Sequence, residues 1–195
     1  VPAIASAWIN SPLLEQHDLG SLRSIQIGGA KLLPVLAEQI MQRLGATLQQ
    51  VYGMAEGLVN FTRLDDPSQT LLHTQGRPLS PHDEVLIVDE RDQPVAQGEA
   101  GQILTRGPYT INGYYNLPEV NRHSFTAEGF YKTGDVGYLD ARGNIVVTGR
   151  IKEQINRAGE KITPSEIENF LLEHPDGRDV CVIGVEDPAL GERIK

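Results

Sequence analysis

Two short apolar runs, Leu22 to Ile27 and Thr47 to Val51, flank a stretch of helical periodicity, and this order constrains the fold more than any other feature of the chain. The first run ends at Gly28-Gly29, a natural break in a strand. Pro34 suits the first helical turn, where its missing N–H costs nothing. Leu36, Ile40 and Leu44 then recur on one helical face, and Gly45 supplies a C-terminal stop. The second run ends at a Tyr52-Gly53 turn. A strand–helix–strand unit of this kind places its strands parallel in a sandwiched sheet, so the fold class is α/β.

The punctuation changes after Asp65-Asp66-Pro67. Glu84 to Asp89, Gly101 to Arg106, Gly137 to Leu139 and Asn144 to Thr148 read as short strands divided by Gly, Pro, Asn and Asp, which predicts a β-rich subdomain of distorted-barrel form. Asp140-Ala141-Arg142-Gly143 has the composition of a hairpin turn. Beyond Arg150 the pattern changes again. Thr163-Pro164-Ser165-Glu166 has the capping-box form, with Ile167, Phe170 and Leu171 as an apolar stripe, Pro175 as the stop and Val180 to Val185 as a following strand. Residues 1–149 are therefore expected to be the C-terminal portion of a large domain, and 150–195 the hinge and first part of a small one. A start at Val1 and an end at Lys195 without a closing helix suggest a segment of a longer protein; a small complete domain is the alternative.

Composition narrows the function classes. A formal charge of −9 over 195 residues argues against broad nucleic-acid binding, which favours a basic patch. No apolar run approaches the roughly 18 residues that a membrane span requires. The single cysteine, Cys181, has no internal disulfide partner, which suggests a reducing, cytoplasmic setting. The five histidines lack metal-ligand spacing.

Three segments carry candidate chemistry: Tyr52-Gly53-Met54-Ala55-Glu56, Gly129-Phe130-Tyr131-Lys132-Thr133-Gly134-Asp135, and Gly149-Arg150-Ile151-Lys152-Glu153-Gln154 running on to Ile162. The Asp135 carboxylate can accept two hydrogen bonds from a vicinal diol such as a ribose offers; a plain turn before a strand is the other reading. Gly28-Gly29-Ala30 lets a flat ligand approach the backbone or lets strand and helix pack tightly. Gln154 to Ile162 also fits an ordinary charged hairpin.

In this order and spacing the segments resemble the motifs of the adenylate-forming enzymes. Val51 to Asn60, Thr62-Arg63-Leu64-Asp65-Asp66-Pro67, Thr105 to Thr110 and Lys152 to Arg157 are further similar to the stand-alone aryl acid ligases of siderophore biosynthesis. The resemblance implies ATP-dependent activation of an aryl carboxylic acid to its adenylate, then transfer to the phosphopantetheine thiol of an aryl carrier protein. It assigns Tyr52, Gly53, Asp135 and Arg150 to the nucleotide and Glu56 to Mg²⁺. Gly28, Gly29, Ala30, Ala55 and Val59 fall to the aryl pocket, Lys152 to the hinge and Gly159 to a loop that serves the thiol step. Ala55 stands where the wider superfamily carries Thr, and Lys152 where many members carry Asp. Val59 resembles the 2,3-dihydroxybenzoate type, where Leu marks the salicylate type. Gly113-Tyr114-Tyr115 matches a further motif and reads as structural. The resemblance also places a phosphate-binding loop before Val1 and an adenylation lysine after Lys195, so the segment alone is expected to be inactive. It admits a homodimer without specifying one. The rival readings are an acyl- or aryl-CoA synthetase and a catalytically silent binding module of the same fold.

Overall fold

The computed structural model describes residues 1–172, 174 and 180–195. A first helix, α1 (Pro2–Ile9), leads through a short 3₁₀ turn to strand β1 (Ser24–Gly28). Helix α2 (Pro34–Leu44) then crosses to β2 (Thr47–Gly53), which lies parallel to β1 with Ser24 opposite Thr47 and Gly28 opposite Val51. Pro34 opens α2, and Gly45 closes it in the left-handed region at φ 63°, its N–H donating to the Met41 carbonyl at 3.0 Å. The buried residues Ala37, Ile40 and Leu44 form the stripe that meets Ile25, Ile27 and Leu48 of the sheet. Ile40 and Leu48 are fully enclosed, a burial that contributes about 1.5–3 kcal/mol for each side chain. Alternation sends Gln26 and Gln49 to the opposite face, where Gln26 Nε2 donates to Gln49 Oε1 at 3.1 Å. Strand β1 starts at Ser24 rather than Leu22, because the Leu22 N–H closes a turn onto the Leu19 carbonyl.

The sheet is completed by β3 (Val59–Phe61) and, beyond helix α3 (Ser68–His73), by β4 (Arg77–Pro78), in the order β1-β2-β3-β4. A second sheet follows: β5 (Glu84–Val88), β6 (Gly101–Arg106), helix α4 (Pro118–Ser124), β7 (Tyr131–Leu139) and β8 (Ile145–Arg150). Its four strands are antiparallel in sequence order, around a core of Leu58, Ile87, Ile103 and Ile145. Strand β7 is longer than the expected Gly137–Leu139. It reaches back through the whole Tyr131–Asp135 motif, with a left-handed Gly134 (φ 76°) inside it and register shifts beside both neighbours. The Asp140–Gly143 hairpin turn forms as read, with Asp140 Oδ1 accepting the Arg142 and Asn144 N–H groups, each at 2.8 Å.

Two buried glutamines tie the sheets together. Gln50 Nε2 donates to the Leu71 and Leu72 carbonyls, and Gln75 Nε2 donates to Gln50 Oε1 at 3.1 Å. Gln75 Oε1 in turn accepts the Val147 N–H at 2.8 Å. Tyr52 lies two residues beyond Gln50 on β2, and Arg150 three beyond Val147 on β8, so this seam sets the distance between them.

After a 3₁₀ turn at Ile151–Glu153, β9 (Ile155–Arg157) and β10 (Glu160–Ile162) form a hairpin. Helix α5 (Pro164–Leu172), β11 (Gly184–Asp187) and β12 (Gly191–Ile194) follow, giving the sheet order β10-β9-β12-β11. The last strand expected at Val180–Val185 begins instead at Gly184, although Ile183 and Lys195 exchange a pair of backbone hydrogen bonds at 2.9 Å that extend the ladder by one residue. The expected helix stop at Pro175 lies outside the described residues. The Ser165 hydroxyl donates to the Thr148 carbonyl, and Lys161 pairs with Glu90, joining this last unit to the second sheet. Among the described residues no helix is long and apolar enough to cross a membrane.

Candidate functional site

The parallel strands β1 and β2 end together, and ligand sites of α/β sheets lie beyond such carboxyl ends. Gly28 closes β1 so near its neighbour that a Cβ would stand 2.5 Å from the Val51 carbonyl oxygen. The tight-packing reading therefore accounts for Gly28 directly. Gly29 (φ 83°) and Ala30 follow as exposed backbone at the same edge. The pairing of Gly53 with Val59 carries that edge one strand further. Gly28, Gly29, Ala30 and Val59, which the resemblance assigns to an aryl pocket, thus share one rim. Ala55 lies exposed in the adjoining turn, closed by the Met54 N–H on the Leu58 carbonyl at 2.9 Å.

Asp135 is the centre of the second group. The β7–β8 register sets it directly opposite Arg150, whose Nε donates to Oδ1 at 2.7 Å. The Tyr52 hydroxyl donates to the other oxygen, Oδ2, also at 2.7 Å. The Asp135 side chain is 8% exposed and that of Arg150 63%, so the carboxylate is walled in while the guanidinium reaches solvent. Among the described residues the Arg150 Nη groups make no hydrogen bond. Each carboxylate oxygen offers about two acceptor positions, so one on each remains for an incoming pair of hydroxyls. Burial first, and the Asp135 charge second, push the Tyr52 phenol far above its ordinary value and hold it as a donor. The hydrogen bond to Asp135 raises Arg150, which stays cationic. From behind, the Thr133 hydroxyl donates to the Ile103 carbonyl at 2.8 Å and accepts the Asp135 N–H at 3.0 Å.

Glu56 stands four residues beyond Tyr52 and is half-buried. Its Oε1 accepts the Tyr114 hydroxyl at 2.8 Å, and Tyr114 lies 3.0 Å from the Tyr131 hydroxyl. Tyr114 is kept protonated, chiefly by its bond to Tyr131, then by burial and by Glu56. Two links therefore run in parallel from the Tyr52–Glu56 segment to β7: Tyr52 to Asp135, and Glu56 through Tyr114 to Tyr131. Sequence reasoning left Tyr114 as structural and did not single out Tyr131. The only local signal was their place inside motifs; the contact that joins them spans distant parts of the chain.

Lys152 and Gly159 are not drawn into this cluster by any bond among the described residues. Lys152 is exposed in the 3₁₀ turn after Arg150. Gly159 turns the β9–β10 hairpin at φ 92°, next to Ala158 at φ 54°, and a Cβ there would meet nothing within 4 Å. The hairpin reading of Gln154–Ile162 is the observed geometry.

Glu56 also fits a magnesium site. The described residues hold no group of three His, Cys, Asp or Glu side chains suited to a metal. Mg²⁺ commonly takes only one or two protein carboxylates and completes its shell with water and phosphate oxygens. Glu56 matches that need, with one oxygen engaged by Tyr114 and the other without a hydrogen-bond partner among the described residues.

Comparison with known proteins places this geometry in a family. Residues 1–115 match the family model described as AMP-binding enzyme. Over 193 residues the chain is 52% identical to the vibriobactin-specific 2,3-dihydroxybenzoate-AMP ligase of Vibrio cholerae, covering 99% of this chain and 36% of that protein. It is equally 52% identical to pyochelin synthase PchD of Pseudomonas aeruginosa, covering 99% of this chain and 35% of that protein. Among solved structures, the amide bond synthetase McbA from Marinactinospora thermotolerans superposes with a TM-score of 0.89 at 34% identity, covering 99% of this chain and 40% of that one. The chain belongs to the AMP-binding enzyme family and spans just over a third of the length of the curated relatives it matches.

Proposed function

We propose that the protein carrying this AMP-binding segment activates an aryl carboxylic acid with ATP and passes the acyl group to a carrier-bound thiol. In the first step an oxygen of the aryl carboxylate attacks the α-phosphorus of ATP. The bond from that phosphorus to the bridging oxygen breaks, giving aryl-AMP and pyrophosphate. In the second step the phosphopantetheine sulfur attacks the acyl carbon, AMP leaves with the bridging oxygen, and the thiol proton goes to solvent.

The observation that carries this reading is the enclosed Asp135, with a donor on each oxygen and one acceptor position left on each. A ribose 2′,3′-diol matches those two positions. Arg150 reaches the same sugar or the adenylate from solvent. Tyr52 fixes the carboxylate through its hydroxyl and offers its ring to the adenine. Gly53 lets the backbone turn beside the nucleotide. Glu56 would hold Mg²⁺, which supplies neutralisation of the charge that builds as pyrophosphate departs.

Gly28, Gly29, Ala30, Ala55 and Val59 form the wall against the aryl ring. Relatives of similar identity are named for 2,3-dihydroxybenzoate and for salicylate, and valine at position 59 favours the first acid. Residues 1–149 belong to the large domain and 150–195 to the start of the small one. Lys152 is the hinge residue, and Gly159 offers a passage without a side chain for the pantetheine arm once the small domain has rotated. The setting is cytoplasmic, and the second substrate is an aryl carrier protein.

Acid-dependent exchange of pyrophosphate into ATP by the full-length protein tests the reading, with 2,3-dihydroxybenzoate, salicylate, benzoate and a fatty acid compared. Exchange strongest with dihydroxybenzoate supports it. A salicylate preference keeps the chemistry and overturns the Val59 assignment. Exchange with the fatty acid alone overturns the aryl reading.

A further inference from the structure

We propose that Tyr114 is a positioning residue for Glu56: its phenol holds the carboxylate in the orientation that receives Mg²⁺ with ATP. The inference rests on the assignment of Glu56 to the metal.

Three features set Tyr114 apart from a packed aromatic. Its hydroxyl bonds two side chains, Glu56 and Tyr131, at 2.8 Å and 3.0 Å. Its backbone is clamped on both sides by one side chain, Asn121 of α4, which accepts the Tyr114 N–H at 2.7 Å and donates to the Tyr114 carbonyl at 2.9 Å. The loop that carries it is also fastened to the Glu56 turn. The Ile111 N–H donates to the Glu56 carbonyl at 2.9 Å, and a Cβ on Gly57 would stand 2.5 Å from the Thr110 Cα. Phe125 packs against both phenols, its ring centroid 6.4 Å from that of Tyr114 and 5.4 Å from that of Tyr131.

A lone carboxylate on a turn can swing through several rotamers. A donor locked at one oxygen removes that freedom and presents the other oxygen outward. Partners of this kind commonly govern metal affinity as strongly as tens-fold. Tyr131 acts one step further back, by orienting the Tyr114 hydroxyl.

The test compares wild type, Tyr114→Phe and Tyr131→Phe in the full-length protein. Both variants keep the ring, so the aromatic packing survives. Two readouts are taken: the Mg²⁺ concentration that half-saturates acid-dependent exchange, and Mn²⁺ affinity, by electron paramagnetic resonance, in the presence of an ATP analogue that resists cleavage. Tyr114→Phe is expected to weaken both by about 10- to 100-fold, with the KM for the aryl acid unchanged. Tyr131→Phe is expected to weaken them by only about twofold to fivefold, since it removes a neutral bond. Metal affinities within twofold of wild type in Tyr114→Phe would overturn the proposal. So would an equal or larger effect of Tyr131→Phe, which would indicate general loosening of the aromatic cluster. A wild type that exchanges no pyrophosphate with any acid would defeat the proposed function, while the Mn²⁺ titration would still decide the role of Tyr114.

Discussion

Tyr52, near the end of β2 in the first sheet, donates its hydroxyl proton to Asp135, on β7 of the second, across 2.7 Å. This bond gives Asp135 a partner on the side away from Arg150. It also makes the position of the carboxylate depend on how the two sheets are docked.

The Tyr52–Asp135 bond predicts a specific alkaline instability. In the unfolded chain a tyrosine ionises near pH 10. In the folded chain burial and the Asp135 charge hold Tyr52 protonated well above that. The stabilisation is therefore fully present below about pH 10 and is lost progressively as pH climbs towards the raised folded value, at up to about 1.4 kcal/mol per pH unit. Urea unfolding between pH 9 and 11.5 should show a shallower decline for Tyr52→Phe than for wild type. Parallel declines would remove Tyr52 from the account.

The glutamine seam predicts coupling between sheet docking and the site. Gln75→Ala strands the buried Gln50 Oε1 and the Val147 N–H, each at a cost of about 1–3 kcal/mol. The variant should lose roughly 2–6 kcal/mol in urea unfolding. Its remaining folded fraction should bind ATP more weakly, since Tyr52 and Arg150 lie just beyond the seam. Calorimetric titration at a temperature where the variant is folded checks the second point.

How far the sequence could be read follows from what each contact leaves behind as a local pattern. The β1–α2–β2 unit was legible because Gly28-Gly29, Pro34 and Gly45 punctuate it. Asp135 and Arg150 were legible as members of spaced motifs. The left-handed Gly134 made the front half of β7 look like a turn, so the strand was read too short. Helix α1 has no side-chain cap at its start, and the sequence reading passed over it. Gln50 and Gln75 are polar residues in a seam, and nothing periodic announces that they bond each other. Tyr114 was set aside for a similar reason: its partner Glu56 lies 58 residues away. Local spacing exposed the motif residues and hid most of the side chains that hold them in place.

Position 59 predicts a change of substrate preference. Val59 starts β3 beside Gly53, at the rim shared with Gly28. Val59→Leu adds one methylene to that wall, a difference worth about 1–3 kcal/mol in discrimination. The ratio of kcat/KM for 2,3-dihydroxybenzoate over salicylate should fall by about tenfold or more. An unchanged ratio would place the ring elsewhere.

The central claim is that the enclosed Asp135 binds the ribose of a nucleotide used to activate an aryl acid. Pyrophosphate exchange by the full-length protein, wild type beside Asp135→Asn, tests it most directly. The account predicts strong exchange with 2,3-dihydroxybenzoate in wild type, and in the variant a KM for ATP raised at least about tenfold with the KM for the acid unchanged, as loss of a charged hydrogen-bond acceptor requires. Equal ATP dependence in the two proteins, or no exchange from folded wild type with any aryl acid, would contradict it.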